Sequence, residues 1–404
     1  MEIMESNLHF CDQCLKINKL DDYSHDVVVT KYNVAKQLIE KESIDIPIEN
    51  LCFAGGGMKI AAYVGGLQVL HGLGLLNNIK RIASSSAGTL LGLLISLKYE
   101  FDDIKNMTLK NQNKYIDRSF WSMIDMYSMI KGNYGVHSGN NMLENLKNAI
   151  NEGFDRKVPD FRKNKAQELK IEKYDPTFVD LYKIFGIELL ITVTNITKST
   201  IEYLCPKLTP NMNLCIAARM SMSYPLVYEY VTYNNQIYID SLCAYPLHVF
   251  YDKYEYKNNL IKNVVFYDSS DDNLFDRTVG FTNYHFEVSG NVTIPNNTEN
   301  YVTEFMENNT NNQINGLSNY IISIVKTACN FICNLEMKII DSDDRENYDK
   351  HTIGAILQHV NIFEFYINND VKKDMCTLYT IKTIEWLEYK IKKHLEQKYR
   401  IISL

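Results

Sequence analysis

The sequence lacks a long apolar run and lacks an excess of basic charge. A membrane-spanning helix needs about 18 or more consecutive apolar residues, whereas the apolar stretch Thr89–Leu97 is short and contains a glycine and a serine. Lys and Arg number 42 against 49 Asp and Glu, which gives a net charge of -7. No broad positive surface is therefore expected, and nucleic acid is not predicted as a partner.

Cysteine gives no sign of a disulfide framework or of a metal site. Nine cysteines, an odd number, are spread over 404 residues, which favours reduced thiols in an intracellular protein. Cys11 and Cys14 form a lone C-x-x-C pair without a second pair or suitably spaced histidines, so no metal is predicted. The first residues include Glu2 and Glu5 and no apolar segment, unlike a secretory signal. We therefore expect an intracellular, cytoplasmic protein.

A βαβα unit is predicted between residues 47 and 98. Its successive strands, turns and helices are Leu51–Phe53, Gly55–Gly57, Met58–Leu76, Arg81–Ser84, Ser84–Gly88 and Ala87–Lys98. Strands joined by a helix pair in parallel, and such sheets bind ligands at the carboxyl ends of their strands. The pattern predicts an α/β fold with a site where the two turns lie.

The two turns carry residue types suited to acyl transfer. Gly55, Gly56 and Gly57 lack side chains, so their amides, at the start of a helix, are open to an anion. Residues 84–88 read Ser-Ser-Ser-Ala-Gly, close to the G-x-S-x-G elbow that exposes a serine nucleophile. Ser86 would then attack a carbonyl while the glycine amides hold the oxyanion. The alternatives are a phosphate loop, although G-x-x-x-x-G-K-[ST] is absent, and a serine that only caps a helix.

A serine nucleophile needs a base, and Asp240 follows a predicted strand. Gln236–Ile239 should end near Ser86, and a carboxylate acts as a base where burial and geometry raise its proton affinity. An aspartate after a strand is also common as a turn or cap residue. The order Ser86, Asp240, His248 formally permits a catalytic triad, but a gap of eight residues before the histidine is short for an α/β-hydrolase.

Taken together, these motifs resemble the patatin-like phospholipases, lipid acyl hydrolases with a Ser–Asp dyad. The matching segments, in order over roughly residues 48–250, are Gly55–Lys59, Ser84–Gly88, Arg219–Pro225 and Asp240–Ser241 with Pro246. The resemblance implies an α/β fold of three layers, αβα, with a mostly parallel central sheet and additional helices.

The resemblance also implies the roles of particular residues. They are Ser86 as nucleophile, Asp240 as general base, Gly55, Gly56, Gly57 and Met58 as oxyanion hole, and Lys59 as a substrate-binding residue. No metal and no cofactor would be needed, because the dyad replaces a triad. The implied substrate is a phospholipid or a related acyl ester at a membrane surface, which predicts a protein peripheral to membranes; no protein partner is indicated.

Three positions depart from the family pattern. Ser84 stands in place of the first glycine of the elbow, Ile60 in place of a glycine after Lys59, and Ser241 in place of a glycine or alanine after Asp240. These departures motivate a second hypothesis, a catalytically weak or inactive patatin-like scaffold that binds lipid or a protein partner.

The remaining chain is divided by composition. Residues 1–46 are predicted to be an N-terminal extension, in which Thr30–Lys41 favours a helix and Val27–Val29 a strand. Residues 47–404 are predicted to be the hydrolase domain, with a polar, asparagine-rich insertion near 270–315. Its further predicted elements are strands at Val264–Tyr267 and Val360–Ile367 and helices at Leu317–Ile340 and Cys376–Ile402. The last helix could dock on lipid or pack on the core.

Overall fold

The computed structural model describes residues 22–109, 134–241, 245–250, 274–284, 350–357 and 367–402, with Leu8, Leu15, Lys16, Asn18 and Leu20. Within these residues the strands are β1 Asn50–Phe53, β2 Arg81–Ser85, β3 Gly135–His137, β4 Glu188–Asn195, β5 Thr200–Leu204, β6 Leu226–Tyr228, β7 Val231–Tyr233, β8 Gln236–Ile239, β9 Thr278–Tyr284 and β10 Thr352–Ile356. The α-helices are α1 His25–Glu42, α2 Tyr63–Gly72, α3 Gly88–Ser96, α4 Phe101–Leu109, α5 Asn140–Lys157, α6 Phe161–Leu169, α7 Phe178–Phe185, α8 Leu214–Ser221 and α9 Asn369–Ile402. Short 3₁₀ turns occupy Gly57–Ala62, Pro246–Phe250 and Phe275–Arg277.

A mixed sheet forms the centre of the fold. Its strand order is β10-β9-β1-β2-β4-β8-β7, and β5 also pairs with β4. The five strands from β10 to β4 are parallel, whereas β8, β7 and β5 add antiparallel pairs at one side. The predicted α/β fold with a mostly parallel central sheet and flanking helices is confirmed.

Strand β1 is buried on both faces, as expected for the centre of a parallel sheet. Leu51 and Phe53 belong to the large core beneath the helices, and the Phe53 ring lies 6.3 Å from that of Tyr63 in α2. Cys52 and Ala54 face the opposite side, where the turn Pro246–Phe250 covers them. This burial explains the continuous apolar run in the sequence.

Two adjacent glycines in α2 let other elements approach it closely. A side chain at Gly65 would lie 1.9 Å from the carbonyl oxygen of Cys376 in α9, and one at Gly66 would lie 2.7 Å from the Phe281 ring in β9. The glycines weaken an isolated helix by about 1 kcal/mol each. In the folded protein they permit backbone contact between α2 and α9.

The C-terminal helix α9 packs on the core rather than standing free. Leu378, Ile381, Ile384 and Leu387 are fully or almost fully buried. Of the two interpretations for this helix, packing on the core is therefore the one that the structure supports. No helix within the part of the chain that the structure describes is long and apolar enough to cross a membrane.

Helix α1 extends further than the sequence pattern predicted. Val27–Val29 lie inside it rather than in a strand, and Ser24 caps its start by accepting from the Val27 amide. Lys31 pairs with Glu388 at 2.8 Å, and Lys398 pairs with Glu42 at 3.1 Å. Packing of α1 against α9 thus overrides the strand preference of three β-branched residues.

Two core strands were missed near the predicted insertion. Strand β9, Thr278–Tyr284, lies within residues 270–315 and pairs with β1, so the prediction of a polar insertion is wrong for those residues. Strand β10, Thr352–Ile356, pairs with β9 and was not predicted. The predicted elements at 264–267, 317–340 and 360–366 lie outside the described residues.

His351 should make the stability of the sheet depend on pH. It is 5% exposed at the start of β10, and its Nδ1 lies 3.1 Å from the Thr278 carbonyl oxygen of β9. Burial and then the charge of Lys390 lower its pKa to about 3. In the unfolded chain the histidine has its ordinary pKa and binds a proton below about pH 6.5, whereas in the folded protein it stays neutral there. The free energy of unfolding therefore decreases as the pH falls below about 6.5.

We expect His351→Gln to weaken this dependence. Urea unfolding of the wild type between pH 6.5 and 5 should reveal a loss of stability that is about 1 kcal/mol larger than that of the variant. The same slope in both proteins would contradict the assignment to His351.

Candidate active site

Ser86 occupies the sharp turn between β2 and α3. Its φ of +49° lies in the left-handed region, which a residue with a side chain rarely adopts without support from its surroundings. The turn leaves Ser86 6% exposed. A strained serine between a strand and a helix is the geometry of a nucleophile elbow.

The Ser86 hydroxyl donates a hydrogen bond to Asp240. The distance from Oγ to Oδ2 is 2.6 Å, and Asp240 is 1% exposed. The sequence placed the aspartate at the end of β8, and the structure adds that β8 runs antiparallel to β4. Because Ile239 pairs with Thr194 and Ser85 pairs with Thr192, the end of β8 comes level with the end of β2.

Two serines, Ser221 at the end of α8 and Ser223 just after it, hold this pair in place. Ser221 Oγ accepts from the Ser86 amide at 2.9 Å and donates to the Thr192 carbonyl oxygen at 2.7 Å. The Asp240 amide donates to the carbonyl oxygen of Ser223 at 3.0 Å. Both members of the pair therefore have their backbones tied to the same short segment, which restricts their relative movement.

Arg219 braces that segment from within the fold. It is 5% exposed, donates to Ser223 Oγ, and donates at 2.9 Å to the carbonyl oxygens of Ser138 and Glu229. Gly139 leaves room for the guanidinium, since a side chain there would come within 2.2 Å of it. The sequence indicated Arg219 only as part of a motif. An arginine among the apolar residues of α8 was the available sign of this structural role.

The glycine turn follows β1, next to the elbow. Phe53 of β1 pairs with Ser84 of β2, so the two turns leave neighbouring parallel strands. Gly57 has a φ of +58°, which glycine adopts without strain. A side chain at Gly88 would lie 2.6 Å from the Ala54 carbonyl oxygen, so the start of α3 touches the chain that leads into the glycines.

Met58 and Lys59 lie in the 3₁₀ turn Gly57–Ala62 rather than in an α-helix. The Lys59 amide donates to the Gly56 carbonyl oxygen at 3.2 Å. The Lys59 side chain is 5% exposed, and Met58 is half-buried. The predicted helix from Met58 thus starts with a tighter turn, and α2 proper begins at Tyr63.

The three departures from the family pattern are accommodated. Ser84 Oγ donates to the Leu190 carbonyl oxygen at 3.1 Å, and Gly92 of α3 makes space for the Ser84 side chain. Ser241 Oγ lies 2.6 Å from Ser85 Oγ, and Ile60 is a buried core residue. The two serines satisfy buried polar groups, so neither disturbs the turn that carries Ser86.

His248 has a different neighbour from the one that a triad requires. Its Nε2 lies 2.9 Å from the Tyr203 hydroxyl of β5. Burial lowers its pKa to about 4, so the ring is neutral near pH 7. Asp240 instead accepts from the Ser86 hydroxyl directly. These contacts favour a two-residue arrangement over the triad.

Cysteine nucleophiles and metal ligands offer no competing site in the described parts of the chain. Cys52, Cys205, Cys215 and Cys376 are free thiols. Burial raises the pKa of Cys215 and that of Cys376 to about 12, and protonated thiols are poor nucleophiles. No group of three or more potential metal ligands occurs among the described residues.

The fold and this site define an α/β protein with a serine–aspartate pair beside a glycine turn. Residues 51–251 match the family model of the patatin-like phospholipases. The chain belongs to the patatin-like phospholipase family.

Two viral proteins are similar in sequence. The uncharacterized protein R571 of Acanthamoeba polyphaga mimivirus is 24% identical over 216 residues, which cover 52% of this chain and 64% of that protein. The probable lipid hydrolase 463L of Invertebrate iridescent virus 6 is 25% identical over 194 residues, which cover 48% of this chain and 59% of that protein. The similarity therefore spans less than two thirds of either relative.

Two of the similar solved structures are of bacterial proteins. VipD from Legionella pneumophila has a TM-score of 0.44 at 13% identity, covering 85% of this chain and 67% of that one. ExoU in the ExoU–SpcU complex of Pseudomonas aeruginosa has a TM-score of 0.42 at 14% identity, covering 86% and 52%.

Proposed function

We propose that this protein is a lipid acyl hydrolase of the phospholipase A type, with residues 47–404 as the hydrolase domain. The observation that carries the proposal is the 2.6 Å hydrogen bond from Ser86 Oγ to Asp240 Oδ2. Family membership and the similarity to a probable lipid hydrolase support a lipid substrate. Ser86 is the proposed nucleophile and Asp240 the proposed general base.

The first step forms an acyl-enzyme. Ser86 Oγ attacks the carbonyl carbon of an ester as its proton passes along the existing hydrogen bond to Asp240. The carbonyl oxygen becomes an oxyanion, held by amides of the turn, for which Gly55, Gly56, Gly57 and Met58 are the proposed donors. The ester C–O bond then breaks, and the departing alcohol, a lysolipid, takes the proton from Asp240.

The second step releases the fatty acid. Asp240 removes a proton from water, and the resulting nucleophile attacks the acyl carbon bound to Ser86. The bond to Ser86 breaks, the serine regains a proton from Asp240, and the free acid leaves. The same carboxylate therefore acts as base and acid in both halves of the cycle, and no step needs a histidine.

Lys59 is the proposed substrate-binding residue. It lies two positions after Gly57, and the positive charge of a lysine suits an anionic part of a phospholipid. Because the side chain is only 5% exposed, we expect it to bind groups that enter the site rather than the surface of a membrane.

The proposal can be tested by covalent labelling combined with a lipid assay. The purified chain should release fatty acid from phosphatidylcholine vesicles, and a lipid fluorophosphonate should attach to Ser86, as located by mass spectrometry of its peptide. Ser84 and Ser85, in the same peptide, serve as internal controls because their hydroxyls are engaged elsewhere. If the folded chain gains no adduct and releases no fatty acid, the scaffold hypothesis replaces this one.

A further inference from the structure

The side chain of Asn283 in β9 packs against the glycine turn. It is 4% exposed, and its Nδ2 occupies the space beside Gly56: a side chain on that glycine would lie 2.7 Å away. The same Nδ2 donates to the Tyr63 hydroxyl at 2.8 Å. The Tyr63 hydroxyl in turn lies 3.4 Å from the Ala54 carbonyl oxygen, to which it donates. Asn283 thus packs directly against the glycine turn at Gly56. It is also linked to Ala54, the residue before the turn, by hydrogen bonds through the Tyr63 hydroxyl.

Tyr379 of α9 completes this chain from the other end. Its hydroxyl is 2.9 Å from Asn283 Oδ1 and also contacts the Thr282 carbonyl oxygen. Tyr379 is fully buried, and its ring lies 5.3 Å from that of Tyr63. The single proton of the Tyr379 hydroxyl is shared between the Asn283 and Thr282 oxygens, and the Asn283 side-chain amide lies between this hydroxyl and that of Tyr63.

We infer that Asn283 and Tyr379 are positioning residues for the glycine turn, so that α9 is part of the catalytic unit. This inference rests on the proposed function, since it gives the turn the role of an oxyanion hole. Amides that stabilise an oxyanion must point at it before the reaction begins, and a glycine turn has little side-chain packing of its own to hold it. The network supplies that restraint from residues about 230 and 320 positions further along the chain.

The chemistry of the network makes the inference specific. A leucine at position 283 fills similar space but neither donates nor accepts, and an aspartate accepts but does not donate. A phenylalanine at position 379 keeps the ring contact with Tyr63 and loses only the hydroxyl. Tyr379→Phe is therefore the mildest change that interrupts the network, and Asn283→Leu is the stronger one.

We expect both variants to lose turnover rather than substrate affinity. For Tyr379→Phe, kcat on phospholipid vesicles should fall about 10-fold, and for Asn283→Leu about 100-fold, because small misplacements of a catalytic group have effects of this size. KM should stay within about twofold, since the lost interaction serves the transition state. The rate of labelling by the fluorophosphonate should fall in parallel with kcat.

Tyr99→Phe is the matched control. Tyr99 is also buried, and its hydroxyl donates to the Ala149 carbonyl oxygen at 2.7 Å, away from the glycine turn. The two tyrosine variants should lose similar thermal stability, but only Tyr379→Phe should lose turnover. If Asn283→Leu fails to fold, Tyr63→Phe, which removes the middle hydroxyl, provides the second test.

The outcomes separate the inference from the proposed function. An active wild type with Tyr379→Phe and Tyr63→Phe as active as Tyr99→Phe overturns the inference and leaves the Ser86–Asp240 pair intact. An inactive, unlabelled wild type overturns both. Reduced kcat with unchanged KM in the network variants, at stabilities matched by Tyr99→Phe, supports the inference.

Discussion

Replacing Asp240 by asparagine should lower fatty acid release from phospholipid vesicles by about 10³-fold or more. The carboxamide has nearly the size of the carboxylate and can still contact Ser86 Oγ, 2.6 Å away in the wild type. It cannot accept the serine proton, however, and so leaves the nucleophile unactivated. Ser86→Ala should have a comparable effect, because it removes the attacking atom itself.

The double variant provides a stronger test of the pair. If Ser86 and Asp240 act as one unit, combining the two changes should reduce activity little beyond the worse single change, since residues that act together are strongly non-additive. If the two residues contributed independently, the fold-losses of activity of the two single variants would instead multiply in the double variant. Equal fatty acid release by the wild type and both single variants would remove this pair from the mechanism.

Asp180→Asn is the matched control for the loss of a buried carboxylate. Asp180 is 7% exposed and accepts hydrogen bonds from the amide and hydroxyl of Thr177 at the start of α7. Its replacement should cost about 1 kcal/mol of stability through the weakened helix cap. Turnover at a temperature where both variants are folded should fall only for Asp240→Asn.

Local patterns in the sequence were sufficient to predict the part of the fold that carries Ser86 and Asp240. Strands β1, β2 and β8 were each predicted to within a residue or two, because each is a short apolar run bounded by turn residues. Residue types then indicated which turns carry chemistry. Ser86 and Asp240 come together because the ends of β2 and β8 lie side by side, and this much the sequence predicted. The antiparallel direction of β8 was not predicted.

The support of the glycine turn could not be predicted in this way. Asn283 lies in β9, inside a stretch whose many asparagines indicated an insertion, and its neighbour Phe281 stacks on Phe53 of β1 at 5.6 Å. Tyr379 lies on a helix whose apolar face gives no hint of a polar contact. The inferred roles of Asn283 and Tyr379 depend on contacts between residues far apart in the chain. The periodicity of apolar residues along the chain does not predict such contacts.

Gly56→Ala should be the most damaging change within the glycine turn. The added methyl group would lie 2.7 Å from Asn283 Nδ2, and that amide is held by hydrogen bonds on both sides. We therefore expect the turn to move, which would shift the amides of Gly55–Gly57, the proposed donors to the oxyanion. Because removing a single oxyanion donor costs about 10²- to 10³-fold, we expect kcat to fall by at least about 10²-fold.

Gly74→Ala separates this effect from backbone strain. Gly56 and Gly74 both have a positive φ, +157° and +71°, but Gly74 lies in an exposed turn after α2 where the nearest atom would be 3.4 Å from an added methyl group. A non-glycine residue at such a φ costs about 1 kcal/mol, so Gly74→Ala should melt at a lower temperature and keep its turnover. Similar turnover in the two glycine variants would mean that the amides of the turn do not stabilise the oxyanion.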